Sequence, residues 1–591
     1  MDTLSLNLSR AMLLGALAGV ALAGAAAAED GPFFIDQATP SGLVFEHWTA
    51  RTGALYFPEM TGQGAALFDA DGDGDLDVYL VQGAYLRPED RGKTLEDPPS
   101  EKPGDRLFRN DTKAGGPPRF TDITRASGLE ARGYGMAVAT GDVDGDGDVD
   151  LFLANYGPDE LWLNRGDGTF ENRTAKAGVA GSGTWSTGAT LADLNGDGWL
   201  DLYVIDYVRF DVKNNPVCYA SSSRPDYCGP SSFPPATNRF YRNRGDGTFE
   251  DLTAASGLGQ AAGASLGVVA ADFDEDGRLD LYVANDGQPN HLWLNRGDGT
   301  FADEALLAGL AFNREGQPEA SMGIAIGDLD ADRDLDLFLT HLANETNTLY
   351  LNQGGALFDD RSIESGLAAP SLALTSFGTA ALDVDNDGWL DLVVASGAVR
   401  IVEELRAAGV SYPLGQPNQL FLNRSGRFTD ASSRAGADFQ KLDVGRGLAF
   451  GDVDNDGDAD VVLANNGSAT RLLINQVGQK SPWVGLRLMH QGPGQAPRPA
   501  HGAVAELRRA SGAPLLRRSA TDGSYASASD PRLIFGLGGG SAENPPTGVL
   551  VRWEDGTLEE FGPPPAGRYT DLIRGQGAKP AAAAPKKDSA R

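Results

Sequence analysis

Short runs of alternating apolar residues recur through most of this chain, separated by turn-forming residues. The stretch from Gly135 shows the unit. GMAVATGDV is followed by LFLANYG from Leu151, by LWLNRGDGTF over residues 161–170, and by ENRTAKAGV. Period-two alternation with regularly spaced turns predicts four short strands per unit. Gly-Asp-Gly within NRGDGTF predicts a tight hairpin, because Gly and Asp tolerate positive φ. A four-stranded unit repeated along a chain predicts radially arranged blades.

The closing strand of each unit carries Phe-x-[Asp/Asn] and is followed by a Gly-apolar pair. It occurs at Phe120, Phe170, Phe249, Phe301, Phe358 and Phe428. Another copy, Phe34-Ile35-Asp36 with Ser41-Gly42-Leu43, stands near the N-terminus without a unit of its own. The unit ending in LLIN (472–475) lacks such a strand. The two deficits match. The N-terminal strand is therefore expected to complete the seventh blade, and closure removes the open edges of a linear array.

Ahead of each unit's second strand lies an acidic nonapeptide, Asp-x-[Asp/Asn]-x-Asp-Gly-x-x-Asp, present seven times. Its odd positions are Asp69, Asp71, Asp73, Asp75 and Asp77 in the first copy and Asp142, Asp144, Asp146, Asp148 and Asp150 in the second. The third has Asp193, Asn195, Asp197, Trp199 and Asp201; the fourth has Asp272, Asp274, Asp276, Arg278 and Asp280. The fifth has Asp328, Asp330, Asp332, Asp334 and Asp336, and the sixth Asp383, Asp385, Asp387, Trp389 and Asp391. The seventh has Asp452, Asp454, Asp456, Asp458 and Asp460. Oxygen at alternate positions of a tight loop is what a hard cation such as Ca²⁺ requires. Positions one, three, five and nine would offer side-chain oxygen and position seven its main-chain carbonyl. Without an ion, up to five carboxylates would crowd together at a cost in repulsion. Up to seven Ca²⁺ are expected. An EF-hand is excluded: its twelfth position would be Leu80 where a Glu is needed, and the flanks are strand-like. The fifth copy carries Arg333 where the others have Gly, and is expected to bind most weakly.

The fold expected is all-β: a seven-bladed calcium-binding β-propeller over residues 29–480, a small β domain over 481–575, and a disordered tail over 576–591. Three excursions interrupt the repeat. Residues 206–238 are rich in Pro and Ser and hold both cysteines, residues 83–104 read as mobile, and residues 398–417 contain the helix-forming IVEELRAAGV.

The formal net charge is −33, and the loop aspartates account for most of it. An acidic surface argues against nucleic acid, which rewards a basic footprint. Residues 1–28 read as a signal peptide, with Arg10, an apolar run from Met12 to Leu22 and an Ala-rich cleavage region. Its Ala-rich character looks bacterial, so a periplasmic or released protein with no membrane span is expected. In such a compartment Cys218 and Cys228 are expected to form a disulfide.

Three tempting signals are discounted. Arg-Gly-Asp at Arg165, Arg244 and Arg296 always lies inside the same hairpin, where turn chemistry explains it. Gly263-Ala264-Ser265-Leu266-Gly267 fits a nucleophile elbow but has no helix after it. His47, His291, His341, His490 and His501 are scattered without an H-x-x-x-H pair and read as surface or satisfied residues. No catalytic residue is assigned.

The loops and their hairpins resemble the FG-GAP/VCBS repeats of integrin α-chain-like propellers. Gly502-Ala503, Gly523-Ser524-Tyr525, Phe535-Gly536-Leu537-Gly538 and the stretch from Val551 to Gly556 resemble the ASPIC/UnbV domain. The segment before Gly502 departs from that pattern, reading Gln-Ala-Pro-Arg-Pro-Ala-His. Together these features resemble the cartilage acidic protein 1 family. The resemblance implies extracellular binding or adhesion roles, with no assured catalytic activity; the chain is expected to be a monomeric scaffold that binds a glycan, cell-surface protein or matrix partner. The alternative is a polysaccharide lyase or hydrolase, which fold alone leaves open.

Overall fold

The computed structural model describes residues 31–580 except 101, 102, 114, 182, 184, 221, 493, 494 and 540–543. The leader expected over residues 1–28 and the tail from residue 581 lie outside the described residues.

Seven four-stranded antiparallel sheets follow one another along the chain. Their first strands are Ala65–Phe68, Tyr134–Gly141, Ser186–Ala192, Ser265–Ala271, Ile324–Gly327, Ser376–Leu382 and Gly445–Gly451. These strands pack against one another in cyclic order, the last against the first, so the sheets form a closed ring of blades around an axis. The apolar alternation fills the clefts between neighbouring blades. Leu337, Leu339 and Tyr350 of blade 5, for example, pack with Tyr282, Ala284 and Leu292 of blade 4.

The ring closes as the repeat pattern predicts. Phe34–Asp36 pairs antiparallel with Arg471–Asn475, placing Phe34 opposite Asn475 and Asp36 opposite Leu473. Asp36 also pairs with Arg471 at 3.0 Å.

An acidic loop joins the first and second strands of every blade, so all seven loops emerge on one face. The long excursions leave after the second strand of blades 1, 3 and 6 and so rise from the opposite face. The second and third are stitched together: Ser222 Oγ donates to Glu403 Oε1 at 2.9 Å and Arg400 Nη1 to Tyr227 O at 2.6 Å, while Asn215 Nδ2 donates to Ala54 O of the N-terminal stretch at 2.9 Å. Cys218 and Cys228 are bonded. The 398–417 excursion holds the helix Glu403–Ala407. The 83–104 excursion is tied down rather than loose: Leu95 N donates to Arg51 O at 2.7 Å, and Glu96 pairs with Arg51.

Beyond residue 481 two further sheets sandwich a core of Val484, Leu486, Leu507, Phe535, Val551 and Trp553. This module sits on the acidic-loop face. Between its strands Leu515–Arg518 and Leu533–Gly536, the chain runs into the axis of the ring. There it bonds to the first strand of every blade. Ala528 exchanges bonds with Ala65 and Leu67, Ala526 O accepts from Val138 N, and Ser524 pairs with Ile324 in both directions. Asp522 accepts from Thr190 Oγ1 and Ala270 N, each at 2.8 Å. Ser524 Oγ accepts from Thr379 N, and Asp530 N donates to Phe450 O. The approach is close: a Cβ on Gly64 would stand 2.0 Å from Ala526 O. From the opposite end Phe57 enters between Trp185, Tyr207 and Phe233, with ring centroids 5.2–5.4 Å away. The two intrusions meet where Tyr525 Oη donates to Thr61 O at 2.7 Å. The last described segment packs along the module, with Ala578 bridged to Glu560.

Candidate metal centres

Each acidic loop folds around its first aspartate. In the first copy Asp69 Oδ1 accepts from Gly72 N at 2.8 Å and Asp73 N at 3.2 Å, and Oδ2 from Gly74 N at 2.9 Å. Asp73 Oδ1 accepts from Asp75 N. The closing Asp77 accepts from Ala70 N at 2.8 Å and from Asn110 N at 2.7 Å. Such turns are local carboxylate-to-amide bonds that these residues make readily. They draw the side chains inward. Carboxylate oxygens of Asp69, Asp71 and Asp77 lie within 4.8 Å of one another. The same holds for Asp142, Asp144 and Asp146, for Asp272, Asp274 and Asp276, for Asp328, Asp330 and Asp332, and for Asp383, Asp385 and Asp391. In the third copy Asp193 and Asp197 keep the same turn bonds, and Asn195 Oδ1 accepts from Asp197 N.

The side chains at position seven have partners of their own, and only some turn away from the clusters: Arg278 Nη2 donates to Asp276 of its own loop. Asp75 accepts from Asn455 Nδ2 at 2.7 Å, Arg278 Nε donates to Asn295 O at 2.9 Å, and Asp458 Oδ2 accepts from Gln479 N at 2.9 Å. Trp199 packs close over Gly145 and Gly245.

Burial makes the clusters costly when they hold only negative charge. Desolvation raises Asp77 and Asp280 to about 8, and Asp328, Asp383 and Asp452 to about 7. Asp150, Asp201, Asp336, Asp391 and Asp460 are raised well above the ordinary carboxylate range by the same burial, with neighbouring carboxylates adding to it. Position three is the telling one. The Oδ1 atoms of Asp71, Asp144, Asp385 and Asp454 are buried without a hydrogen-bond partner, at the same place in four loops. A hard divalent cation satisfies such oxygens, so the residues fit Ca²⁺.

Sequence reasoning missed the asparagines that weld the loops together. Every third strand carries Asn at or next to its end: 110, 164, 243, 295, 352, 423 and 475. Each backbone N–H donates to the closing aspartate of its own loop. Each side-chain amide then donates to two carbonyls, one in its own loop and one in the loop of the preceding blade. Asn423 Nδ2 reaches Leu390 O at 2.9 Å and Leu329 O at 2.8 Å. Asn110 reaches back to Val453 O at 2.9 Å, so the chain of amides runs right round the ring. The signal was present as a recurring Asn after each apolar third strand.

Two backbone positions in each loop are left-handed. The sixth has φ from +86° to +102° at Gly74, Gly147, Gly198, Gly277, Gly388 and Gly457, and +79° at Arg333. The fourth is also left-handed, at Gly72, Gly145, Gly196, Glu275, Ala331, Asn386 and Asn455. Loop five alone has neither Gly nor Asn at these two places. The Arg333 guanidinium does not turn towards the carboxylates; it pairs with Glu506 of the C-terminal module at 3.5 Å.

The module also covers this face with cations. Arg552 lies 3.5 Å from Asp272 and Arg517 lies 3.6 Å from Asp383; Arg532 Nη2 donates to Asp452 O at 2.8 Å. Tyr569 Oη donates to Asp452 Oδ2 at 2.8 Å.

The discounted motifs behave as turns and core. Asp167 of the first Arg-Gly-Asp accepts from Thr169 N, and Ser265 Oγ is buried against Asn285 Oδ1. The histidine reading needs correcting in one respect: all five are buried, none on the surface. His47 accepts from Gly467 N and is pushed down to about 3 by burial.

The FG-GAP-like repeat family matches residues 142–204, 224–283, 272–339 and 328–394, and ASPIC and UnbV matches residues 492–579. The chain is thus a β-propeller that carries FG-GAP-like repeats followed by an ASPIC and UnbV segment. It is similar to cartilage acidic protein 1 of Homo sapiens, 24% identical over 357 residues, and of Mus musculus, 25% identical over 357 residues. The human match spans 56% of this chain and 47% of that protein, so the chain spans about half the length of the curated relatives it matches. Among solved structures, an Agrocybe aegerita lectin described as recognising non-reducing terminal N-acetylglucosamine aligns at 16% identity and TM-score 0.36, covering 71% of this chain and 93% of that one. The BP39L lectin of Burkholderia pseudomallei aligns at 11% identity and TM-score 0.36, covering 70% and 96%. Similarity at this level bears on no ligand. Among the described residues, no helix is long and apolar enough to cross a membrane.

Proposed function

We propose that this protein is an extracytoplasmic scaffold, held rigid by Ca²⁺ in its acidic loops, that docks a protein or glycan partner on the face carrying the three excursions. The observation that carries the calcium reading is the buried, unpartnered Oδ1 atom at position three of four loops. A bound ion would be held by the carboxylates or amide at positions one, three, five and nine and by the position-seven carbonyl. Its role would be electrostatic: it offsets repulsion and lets the closing aspartates stay ionised. The disulfide fits an oxidising compartment.

Two features favour the excursion face for docking. The loop face is covered by the C-terminal module, whereas Leu95, Val217, Tyr219 and Val410 stand exposed on the three excursions. Exposed apolar side chains rimmed by polar residues mark binding surfaces more often than chance. The axis is filled from both ends, which gives the alternative of a lyase or hydrolase little room there. The test is a screen of glycans and extracellular proteins with the calcium-loaded chain and with a Val217→Ser, Tyr219→Ser variant. A ligand whose binding weakens in the variant supports this reading; a ligand bound equally by both would move the docking site elsewhere.

A further inference from the structure

The outer rim between blades 4 and 5 departs from the repeat at three places that lie together. Blades 2, 3 and 4 share the hairpin Asn-Arg-Gly-Asp-Gly-Thr-Phe, in which the Arg N–H donates to the Thr carbonyl at 3.0 Å each time. The residue after the Phe is Glu171 in blade 2 and Glu250 in blade 3. Each holds the hairpin arginine, Arg165 to Glu171 at 2.9 Å and Arg244 to Glu250 at 3.7 Å. Blade 4 has Ala302 at that register. Its arginine, Arg296, is exposed and forms no ion pair among the described residues.

The second departure follows the outer strand, where five blades place a four-residue helix among the described residues. Its two middle residues are Thr39 and Pro40, Arg125 and Ala126, Ala175 and Lys176, or Ile363 and Glu364; in Ala305–Ala308 of blade 4 they are Leu306 and Leu307. These two are 70% and 77% exposed. The third departure is in the blade 5 hairpin. Gln353 N donates to Leu357 O as Arg296 N does to Thr300 O, so Leu357 stands where the other hairpins have Thr169, Thr248 and Thr300. It too is exposed.

Arg296, Ala302, Leu307 and Leu357 line one cleft of about 390 Å³. The other arginine there is engaged: Arg278 donates to Asp276 and, at 2.9 Å, to Asn295 O. Asp274 and Asp276 belong to the carboxylate cluster of their own loop, and Glu304, also at the cleft, forms no ion pair with Arg296. Single exposed leucines are ordinary, whereas grouped ones rimmed by polar residues mark a contact surface.

We propose that this cleft docks a segment of another protein in which apolar side chains flank one carboxylate. The apolar side chains cover Leu307, Leu357 and the neighbouring Leu306. The carboxylate takes the place beside Arg296 that Glu171 and Glu250 fill in blades 2 and 3, so the sister hairpins show what this guanidinium holds. Leucine burial supplies the affinity, and the charge pair supplies the choice between segments. The surface lies on the rim, apart from the excursion face.

The test is an array of capped pentapeptides, Leu or Phe around a central Glu, Gln or Lys, probed with the full chain in millimolar Ca²⁺. Glu peptides should be preferred over Gln peptides by up to about five-fold, the range of an exposed charge pair, with Lys peptides weakest. The Leu306→Ser, Leu307→Ser variant should weaken binding of every peptide by roughly ten-fold or more, through lost burial. Ala302→Glu rebuilds the pair of blades 2 and 3; it should leave circular dichroism unchanged and erase the Glu preference while apolar binding persists. Absent binding, equal or tighter binding of Lys peptides, a Glu preference that survives Ala302→Glu, or binding that survives the leucine substitutions overturns the proposal. So does a dimer of the parent chain that the leucine substitutions break, since the occupant would then be a second copy.

Discussion

The two faces of the ring handle polar groups in opposite ways. On the loop face, clusters of loop aspartates hold more negative charge than their protein neighbours neutralise, and the module lends Arg517, Arg532 and Arg552. On the excursion face, the long segments are tied down by charge-assisted hydrogen bonds that each pair an ionic group with a neutral one, by ion pairs, a disulfide and an aromatic cluster around Phe57. On the proposed reading, one face is completed by an ion and the other by the polypeptide itself. The difference teaches where stability is conditional. It depends on solution chemistry at the loops and on covalent and apolar contacts at the excursions.

The largest effect should come from removing the ion. Mass-action linkage gives about 3–4 kcal/mol per site when free Ca²⁺ is 100–1,000 times Kd. Melting in EDTA should therefore fall far below melting in millimolar Ca²⁺. Reducing the Cys218–Cys228 bond should cost only about 2–3 kcal/mol on the chain-entropy account of a short loop. If reduction shifts the melting point more than EDTA does, the contrast between faces is wrong. The sign with pH follows from the raised carboxylates. Asp77 and Asp280, near 8 in the folded chain, favour the ion-free fold below the ordinary carboxylate range and lose that contribution as pH rises through 8. The gap between calcium-loaded and EDTA-treated melting points should widen from pH 6 to pH 9; a constant gap would separate these aspartates from the ion.

Deleting residues 30–45 should come next. The variant loses the strand that pairs with Arg471–Asn475 and leaves blade 7 with an open edge. Limited proteolysis should cut blade 7 first. A truncated chain as resistant as the parent would refute closure by this strand.

The asparagine ring offers a finer probe. Asn423→Ala leaves Leu390 O and Leu329 O unbonded in the interior, a loss of roughly 2–6 kcal/mol at about 1–3 kcal/mol for each abandoned group. Denaturant unfolding in saturating Ca²⁺ would measure it. A loss below half a kcal/mol would mean that the amide is structurally idle, in keeping with ordinary surface substitutions.

The smallest effect concerns loop five. Arg333→Gly should tighten that site about ten-fold, since a left-handed non-Gly residue costs roughly 1–2 kcal/mol. Its ion pair with Glu506 is half exposed and adds little to either state. Calorimetric titration of ion-free protein is the measurement, and identical isotherms would show that φ at this position does not limit binding.

Much of this architecture is legible in the sequence because it is periodic. A Phe-x-Asp strand without a blade and a blade without its last strand are enough to imply closure, and the acidic register alone locates the loops. What stays hidden is aperiodic or long-range. Gly523-Ser524-Tyr525 marks a turn, but nothing local says that it enters the axis and meets all seven blades. The left-handed fourth loop position is masked by its varied residues, Glu275 and Ala331 among them. The terminal Asn of each third strand is visible, yet its two bonds join segments of neighbouring blades that only the folded ring brings together.

The filled axis constrains the order of assembly. Phe34 must wait for Asn475 to be synthesised before the ring can shut, and residues 519–530 emerge later still. Contacts of such sequence separation form slowly, because the loop they close is long. Until they form, the first strands of all blades present unpaired amides to a central channel, and the N-terminal strand is a free edge that another chain could capture. The last segment to arrive is thus a kinetic bolt. Its insertion converts a closed but hollow ring into one that can no longer breathe inwards, so maturation of this protein should be timed by its C-terminal module rather than by its blades.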